Sequence, residues 1–285
     1  MKLLRYAQGN TVFLGAIRDG AVVSLEPLKD KFPTMTSIIE GGQDALAVIA
    51  SFVASEGATI PLAGLQLLAP VERPGKYLAI GMNYPKHVQE SKRLGGPIPD
   101  NQFWFNKQTT CLAGPFDDID PHVTTKLDYE AELGVVIGAK AKDVTEAEAR
   151  NHVFGYLVAN DVSARDWQMH SPTFTMGKSF DTHGPVGPWI VTADEIPDPH
   201  ALQLRCWVNG ELRQDVITGE MIFNIWQQIS YLSTAFTLEP GDLLATGTPS
   251  GVGIAMEPPV YLQPGDVVRC DVQDIGFIEN KVVRS

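Results

Sequence analysis

The sequence predicts a mixed, β-dominated α+β fold, and three observations carry that reading. Short apolar stretches of strand length recur along the chain, bounded by Gly and Pro. Helical periodicity is confined to a few segments. No strand–helix–strand alternation of the kind that builds a parallel sheet is visible. With 26 Gly and 20 Pro among 285 residues, the chain is cut into short elements rather than long ones. That length is enough for one large domain or two modest ones. At 44% hydrophobic and 20% charged residues, disorder is excluded as the dominant state.

The elements follow in order. Residues 1–25 read as a β-meander, "KLLRYA", "TVFLGAI" and "AVVSL", broken at the turn pairs Gly9-Asn10 and Asp19-Gly20. "TSIIEGGQDALAVIASFVASEG" repeats its apolar residues at helical spacing and predicts one or two helices. A loop at "ERPGKY" follows, and a boundary near residue 70 separates a small N-terminal domain, 1–70, from a main domain, 71–285. In the main part, "YPKHVQESKRLG", "TEAEARNHV" and "FNIWQQISYLSTAF" predict helices, the last with a packing role. "EPGDLLATG" and "QPGDVVRCD" echo each other, each placing Pro-Gly in a type II turn ahead of an apolar strand.

Net charge is −12, which argues against a nucleic-acid partner, since such partners select a basic footprint. A small anion needs only a local positive site, so it stays open. Cys111, Cys206 and Cys270 are odd in number and far apart, and they predict buried thiols rather than disulfides or a zinc knuckle. The N-terminus lacks a signal-peptide stretch and no run reads as a membrane span, so a cytoplasmic location is expected.

The chemistry starts at "LDYEAELGVV", residues 127–136, where Asp128, Glu130 and Glu132 alternate with apolar residues. Alternation predicts one strand with all three acids on one face, second neighbours about 6–7 Å apart. Such a face is either wet or meets a cation. Val135, Val136 and Ile137 lead the strand into a core, and no Lys or Arg lies within it to pair the acids. A divalent ion would. Asp161, at the end of the apolar run in "FGYLVANDVSARDWQ", either caps a turn or completes an all-oxygen site for a hard ion, Mg²⁺ or Mn²⁺, with Ca²⁺ also compatible.

His87 and Glu90 stand three apart on a predicted helix, where a carboxylate can orient an imidazole as a general base; a chance surface pair reads the same way. The other five histidines, His122, His152, His170, His183 and His200, read as structural or surface residues. Lys178, in charge-poor "MGKSFDTHG", wants an anion, either a structural acid or a substrate oxyanion. In "ATGTPSGVG", residues 245–253, the backbone N–H groups and Thr248 could cradle an anion or simply form a tight loop. It lacks the glycine fingerprints of nucleotide sites.

Taken together, "IGMNYPKHVQE", "LDYEAELGVVIG", "NDVSARDWQ", "GKSFDTHGPVGP", "VNGELRQ" and "PGDLLATGTPSGVG" resemble, in order, the fumarylacetoacetate hydrolase superfamily. The resemblance runs from about residue 75 to the C-terminus. It implies a mixed β-sandwich or roll behind a small N-terminal α/β domain. It implies Glu130, Glu132 and Asp161 as metal ligands, and His87 with Glu90 as a catalytic dyad on a lid. It further implies substrate contacts at Lys178, Thr248 and Gly247, and a homodimer. Asp128 matches no ligand and is left facing solvent or standing behind the ligands. Met82 departs from the Arg of "GRNY" in some acylpyruvate-cleaving members. The implied activity is metal-dependent hydrolysis of a carbon–carbon bond in a 2,4-dioxo acid, with Lys178 stabilising the oxyanion. Decarboxylation of oxaloacetate or isomerisation of an unsaturated 2-oxo diacid would use the same site. A non-catalytic metal-binding protein is the reading from another class.

Overall fold

The computed structural model describes residues 1–55, 59–96 and 99–284. The N-terminal meander is β1 (Lys2–Gln8), β2 (Thr11–Arg18) and β3 (Ala21–Ser24), followed by helix α1 (Met35–Ser55). The end of the predicted helix, Glu56 and Gly57, lies outside the described residues. Strands β4 (Thr59–Pro61), β5 (Gln66–Leu68) and β6 (Tyr77–Gly81) lead to helix α2 (Pro85–Arg93) and strand β7 (Phe103–Lys107). Next come β8 (Leu112–Ala113), β9 (Leu127–Asp128) and β10 (Ala131–Ile137), the short helix α3 (Glu146–Ala149), then β11 (Val153–Asn160) and β12 (Ser163–Ala164). Two more short helices, α4 (Arg165–Gln168) and α5 (Thr175–Lys178), precede β13 (Gly184–Thr192), β14 (Gln203–Val208) and β15 (Glu211–Ile217). The chain closes with α6 (Ile225–Ala235), β16 (Leu243–Ala245), β17 (Val267–Val272) and β18 (Gly276–Lys281).

The large sheet runs β4-β3-β2-β1-β13-β11-β10-β16-β6-β7, and a four-stranded sheet, β15-β14-β17-β18, stands apart from it. The expectation of a β-dominated mixed fold holds. The sheet runs across the boundary expected near residue 70, because β1 pairs with β13. Strands β10 and β11 are buried at every position. Leu133, Val135, Ile137, Tyr156 and Val158 pack towards the four-stranded sheet and α6. Val136, Leu157 and Ala159 pack towards α1. Burial on both faces explains why these strands lose their alternation after Glu132.

Helix α1 corrects one sequence reading. Its 21 residues are long and apolar enough to cross a membrane by length and composition. Here it breaks at Gly42, whose φ is +51°, and places Met35, Ile38, Ile39, Ala45 and Ile49 in the core. The twin Pro-Gly turns form as expected. Gly241 and Gly265 have φ of +87° and +101°, and Asp242 and Asp266 each fold back to accept the turn's first N–H, from Glu239 and Gln263.

Helix α2 begins with Pro85 at its first turn and ends on Lys92 and Arg93, both favourable to the helix dipole. Helix α6 starts from a reciprocal cap between Asn224 and Gln227 and buries Ile225, Ile229 and Leu232 in the core. Helix α3 is shorter than expected, since the chain tightens into a 3₁₀ turn at Arg150–His152. All three cysteines are buried and reduced, and Cys206 and Cys270 turn out to be cross-strand neighbours, their Sγ atoms 4.0 Å apart.

Gly155 lies on β11 where it passes β13, with no room for a side chain. A methyl group there would be driven into the carbonyl oxygen of Val191. Gly155→Ala is therefore expected to destabilise the fold by about 2–3 kcal/mol through overpacking. Thermal unfolding checks this; an unchanged melting temperature would show the sheet to be more pliable than its packing implies.

Candidate active site and divalent-metal centre

The three acids of residues 127–136 do not lie on one strand. The ladder breaks at Tyr129 and Glu130: Asp128 belongs to β9, paired with β12, while Glu132 lies in β10. Side chains cause the break. Asp128 Oδ1 accepts the next N–H, of Tyr129, at 2.9 Å, and the N–H of Glu130 is taken by Asn160 Oδ1 at 3.0 Å. Neither N–H is left for a neighbouring strand. The wet-face reading fails, because all three acids are at most 5% exposed.

Glu130, Glu132 and Asp161 converge, each offering an oxygen within 4.8 Å of the others. Asp161 follows directly on β11, and its N–H bonds to the Glu130 carbonyl at 2.8 Å, fixing the two carboxylate residues across the β10–β11 pair. The acids are also paired by buried cations: Lys178 takes the structural-acid partner expected of it, while Lys107 and Arg165 were not read from the sequence. Lys178 Nζ bridges Glu130 Oε2 and Asp161 Oδ2 at 2.7 Å each. Lys107 Nζ meets Asp161 Oδ1 at 2.6 Å and also donates to the carbonyl of Lys178. Arg165 reaches Asp128 Oδ2 through Nε at 2.9 Å and Glu130 Oε1 through Nη2 at 2.7 Å. Asp128 is thus neither solvated nor unpaired. Lys107 was missed, and its one sequence signal is that it shares a strand face with Phe103 and Phe105. Arg165 sits inside a quoted motif but carries no periodicity to mark it.

Electrostatics separate the two glutamates. Burial alone would raise the Glu130 carboxyl, but Lys178, Arg165 and His87 outweigh it and hold it at about 2. Burial raises Glu132 well above the ordinary carboxylate range, and Asp161 and Glu130 add to the shift. Its one polar partner among the described residues is the N–H of Gly247, at 2.7 Å. Within the cluster, four buried carboxylates (Asp128, Glu130, Glu132, Asp161) face three buried cations (Lys107, Arg165, Lys178). With all ionised, one negative charge is left over. A divalent cation on the three clustered oxygens turns that into one positive charge, and hard carboxylate donors suit such an ion. The donor set fits Mg²⁺ or Mn²⁺.

The Gly-rich run holds anions, but the protein's own. Gly247 N–H serves Glu132, Gly251 N–H serves Glu90 at 2.9 Å, and Gly253 and Ile254 N–H serve Asp128 at 2.8 and 3.0 Å. Gly247 has φ +105°, and a Cβ there would sit 2.7 Å from that of Asn83, so only glycine fits. Thr248 is buried, its hydroxyl accepting from Gln214 at 2.8 Å, and Gln214 also takes the Ala131 N–H at 3.0 Å. Gln214, the last residue of "VNGELRQ", therefore ties this loop to the first residue of β10.

The dyad is present. His87 Nδ1 and Glu90 Oε2 are 3.1 Å apart on α2, both partly shielded. Helix α2 reaches this place because β6 runs parallel to β16, so Met82 to Arg93 and residues 246–254 leave the sheet at the same end. Asn83 joins the two exits, its amide donating to the carbonyls of Thr246 and Phe223 at 2.8 and 3.0 Å. Of the remaining histidines, His183 is fully buried, and burial lowers it to about 4.

A mixed β fold carrying a buried centre of three carboxylates that suit a divalent cation, with a helix-borne His–Glu pair, is the scaffold of a family of enzymes. The chain belongs to the fumarylacetoacetate hydrolase family: residues 76–283 match its C-terminal domain. It is 41% identical over 268 residues to the mitochondrial oxaloacetate tautomerase FAHD2A of Homo sapiens, covering 93% of this chain and 84% of that protein. Among solved structures it resembles a fumarylacetoacetate hydrolase from Exiguobacterium antarcticum, 36% identical with a TM-score of 0.87. It also resembles maleylpyruvate hydrolase from Sphingobium sp. SYK-6 in complex with manganese(II) and pyruvate, 31% identical with a TM-score of 0.85. Each structural match covers 100% of both chains. Relatives named as hydrolases, isomerases and tautomerases all fall within this family of enzymes.

Metal dependence of stability follows from Glu132. Its folded-state pKa is raised, so as pH rises above about 4.5 the unfolded chain sheds a proton that the folded chain retains, and stability falls. A bound cation needs the ionised form and reverses the penalty. The gain in melting temperature from Mn²⁺ over chelator-treated protein is therefore expected to be larger at pH 8 than at pH 5.5. Glu132→Gln should raise the melting temperature of chelator-treated protein and abolish the gain. Equal gains at both pH values would remove the argument. Glu130 has the opposite sign: its contribution is present above about 4.5 and is lost as pH falls towards 2.

Proposed function

We propose that the chain catalyses proton transfer at the carbon beside the ketone of a short 2-oxo acid, with keto–enol interconversion of oxaloacetate as the first substrate reading. The observation that carries it is the His87–Glu90 pair, 3.1 Å apart and tied through the Gly251 N–H to the same loop whose Gly247 N–H holds Glu132. Similarity to the oxaloacetate tautomerase over 93% of the chain supports the same reading.

Glu130, Glu132 and Asp161 would hold Mg²⁺ or Mn²⁺, which supplies a Lewis acid for the 1-carboxylate and 2-oxo oxygen of the substrate. Glu90 accepts the Nδ1 proton of His87 and so presents Nε2 as the base. That nitrogen takes a proton from the carbon between the two carbonyl groups and returns it to the 2-oxo oxygen, so that ketone becomes enol with no net change in protons, and the reverse order converts enol to ketone. Lys178 has three N–H donors, two of them committed to Glu130 and Asp161. Its third stabilises charge building on the substrate oxygen. Gly247 and Thr248 are committed to Glu132 and Gln214, so their part in this proposal is to hold the loop beside Glu132 rather than to donate to the substrate. A small anionic partner, and a homodimer as the working assembly, belong to this proposal.

Hydrolysis is the second reading. The same dyad can take a proton from water instead, leading to cleavage of a 2,4-dioxo acid with release of pyruvate, and the likeness to maleylpyruvate hydrolase favours it. Met82, where some acylpyruvate-cleaving members carry Arg, weighs against it. Decarboxylation needs no base of this kind and leaves the dyad unexplained.

The test is a Mg²⁺- or Mn²⁺-supplemented assay following the enol absorbance of oxaloacetate alongside pyruvate release from oxaloacetate, maleylpyruvate and an acylpyruvate panel. Enol conversion is expected without pyruvate release, falling by on the order of 10²-fold or more in His87→Ala. Pyruvate release from the panel, abolished in the same variant, would move the assignment to the hydrolase. If no metal changes any rate and chelation only lowers the melting temperature, the cation is structural and both readings fail.

A further inference from the structure

We propose that Asp128 is a positioning residue that ties the metal ligand Glu130 to the seating of helix α2. The proposal rests on the reading of Glu130, Glu132 and Asp161 as a divalent-metal site. Asp128 is 0% exposed and its two oxygens accept four donors. Oδ1 takes the N–H groups of Tyr129 and Gly253 at 2.9 and 2.8 Å. Oδ2 takes Ile254 N–H at 3.0 Å and Arg165 Nε at 2.9 Å.

These contacts face two ways. Through Arg165, whose Nη2 lies 2.7 Å from Glu130 Oε1, they reach a metal ligand. Through Gly253 and Ile254 they reach the segment on which α2 rests. That segment gives its Gly251 N–H to Glu90, and its Ala255 carbonyl accepts from the guanidinium of Arg93, which also pairs with Glu257 at 2.9 Å. The Tyr129 hydroxyl donates to the Gly251 carbonyl at 2.8 Å, a second tie between the same two places. Glu90 and Arg93 are one turn apart on α2, so the helix grips the loop on both sides of the Asp128 anchor. A shift of Glu130 when a cation binds is therefore transmitted to the loop through one buried carboxylate. By reciprocity, loosening the helix from the loop weakens the cation.

The experiment is a double-mutant cycle read by Mn²⁺ affinity in calorimetry, using wild type, Asp128→Asn, Arg93→Ala and the double variant. Asp128→Asn keeps the side-chain size and one acceptor while removing the oxygen that faces Arg165 and Ile254. Arg93→Ala touches no metal ligand. Each single variant is expected to weaken Mn²⁺ by roughly threefold to tenfold, and the double variant to be no weaker than Asp128→Asn alone. Mn²⁺ should slow hydrogen exchange of α2 in wild type and not in Asp128→Asn. Additive losses, or equal protection of α2 in both proteins, overturn the proposal while leaving the metal site standing. Absence of Mn²⁺ binding to wild type overturns the site reading, and the proposal with it. Should Asp128→Asn fail to fold, Arg93→Ala decides alone: unchanged Mn²⁺ affinity overturns the coupling, and a loss supports it.

Discussion

Ionised carboxylates cannot be buried in an apolar sandwich without donors, and most of the architecture around the site can be understood as the supply of those donors. Asp128, Glu130, Glu132 and Asp161 lie at the junction of β9, β10 and β11, beside strands buried on both faces. Lys107 comes from β7, Lys178 from the end of α5, and Arg165 from the start of α4. Backbone N–H groups come from the loop after β16. Four distant segments are thus drawn to one point by charge, and the sheet is the frame that lets them arrive.

Supply falls short at Glu132, and that shortfall is where function enters. Its raised pKa comes from burial first and from two like-charged neighbours second, with one amide as relief. Glu130, a short distance away, is driven in the other direction by Lys178, Arg165 and His87. Two carboxylates in one cluster thus stand at opposite ends of the titration scale, a contrast that marks sites built for a cation or for proton traffic. The overturned Gly-rich cradle belongs to the same logic: the anions it holds are the ones the fold itself has buried.

Much of this was legible in sequence where it rested on short-range patterns. The meander, the Pro-Gly turns, the helical periodicity of α6 and the His87–Glu90 spacing are all local. So was the run of acids leading into an apolar strand, which pointed to a cation without any structure. The break at Tyr129 was not legible, because alternation continues through it while side chains take the backbone N–H groups. Lys178 was marked as wanting an anion, but the partners Lys107 and Arg165 were illegible for a different reason. Nothing near Asp161 shows that Lys107 will meet it, since that contact exists only once β7, β6, β16, β10 and β11 stand in order. Helix α1 shows the converse limit: composition allowed a membrane span, and only its break at Gly42 and its place in the core say what it does here.

The parallel pairing of β6 with β16 has a consequence for how such a protein can diversify. Both strands point out of the same end of the sheet, so the roof over the acids is made of two independent exits, joined at Asn83. Neither exit supplies one of the three clustered carboxylates, which stand on β10 and just beside β10 and β11. Insertions or exchanges at the exits can remodel what the cavity admits while the acidic floor is inherited unchanged. A single scaffold can in this way pass among hydrolase, isomerase and tautomerase chemistries by editing its ceiling.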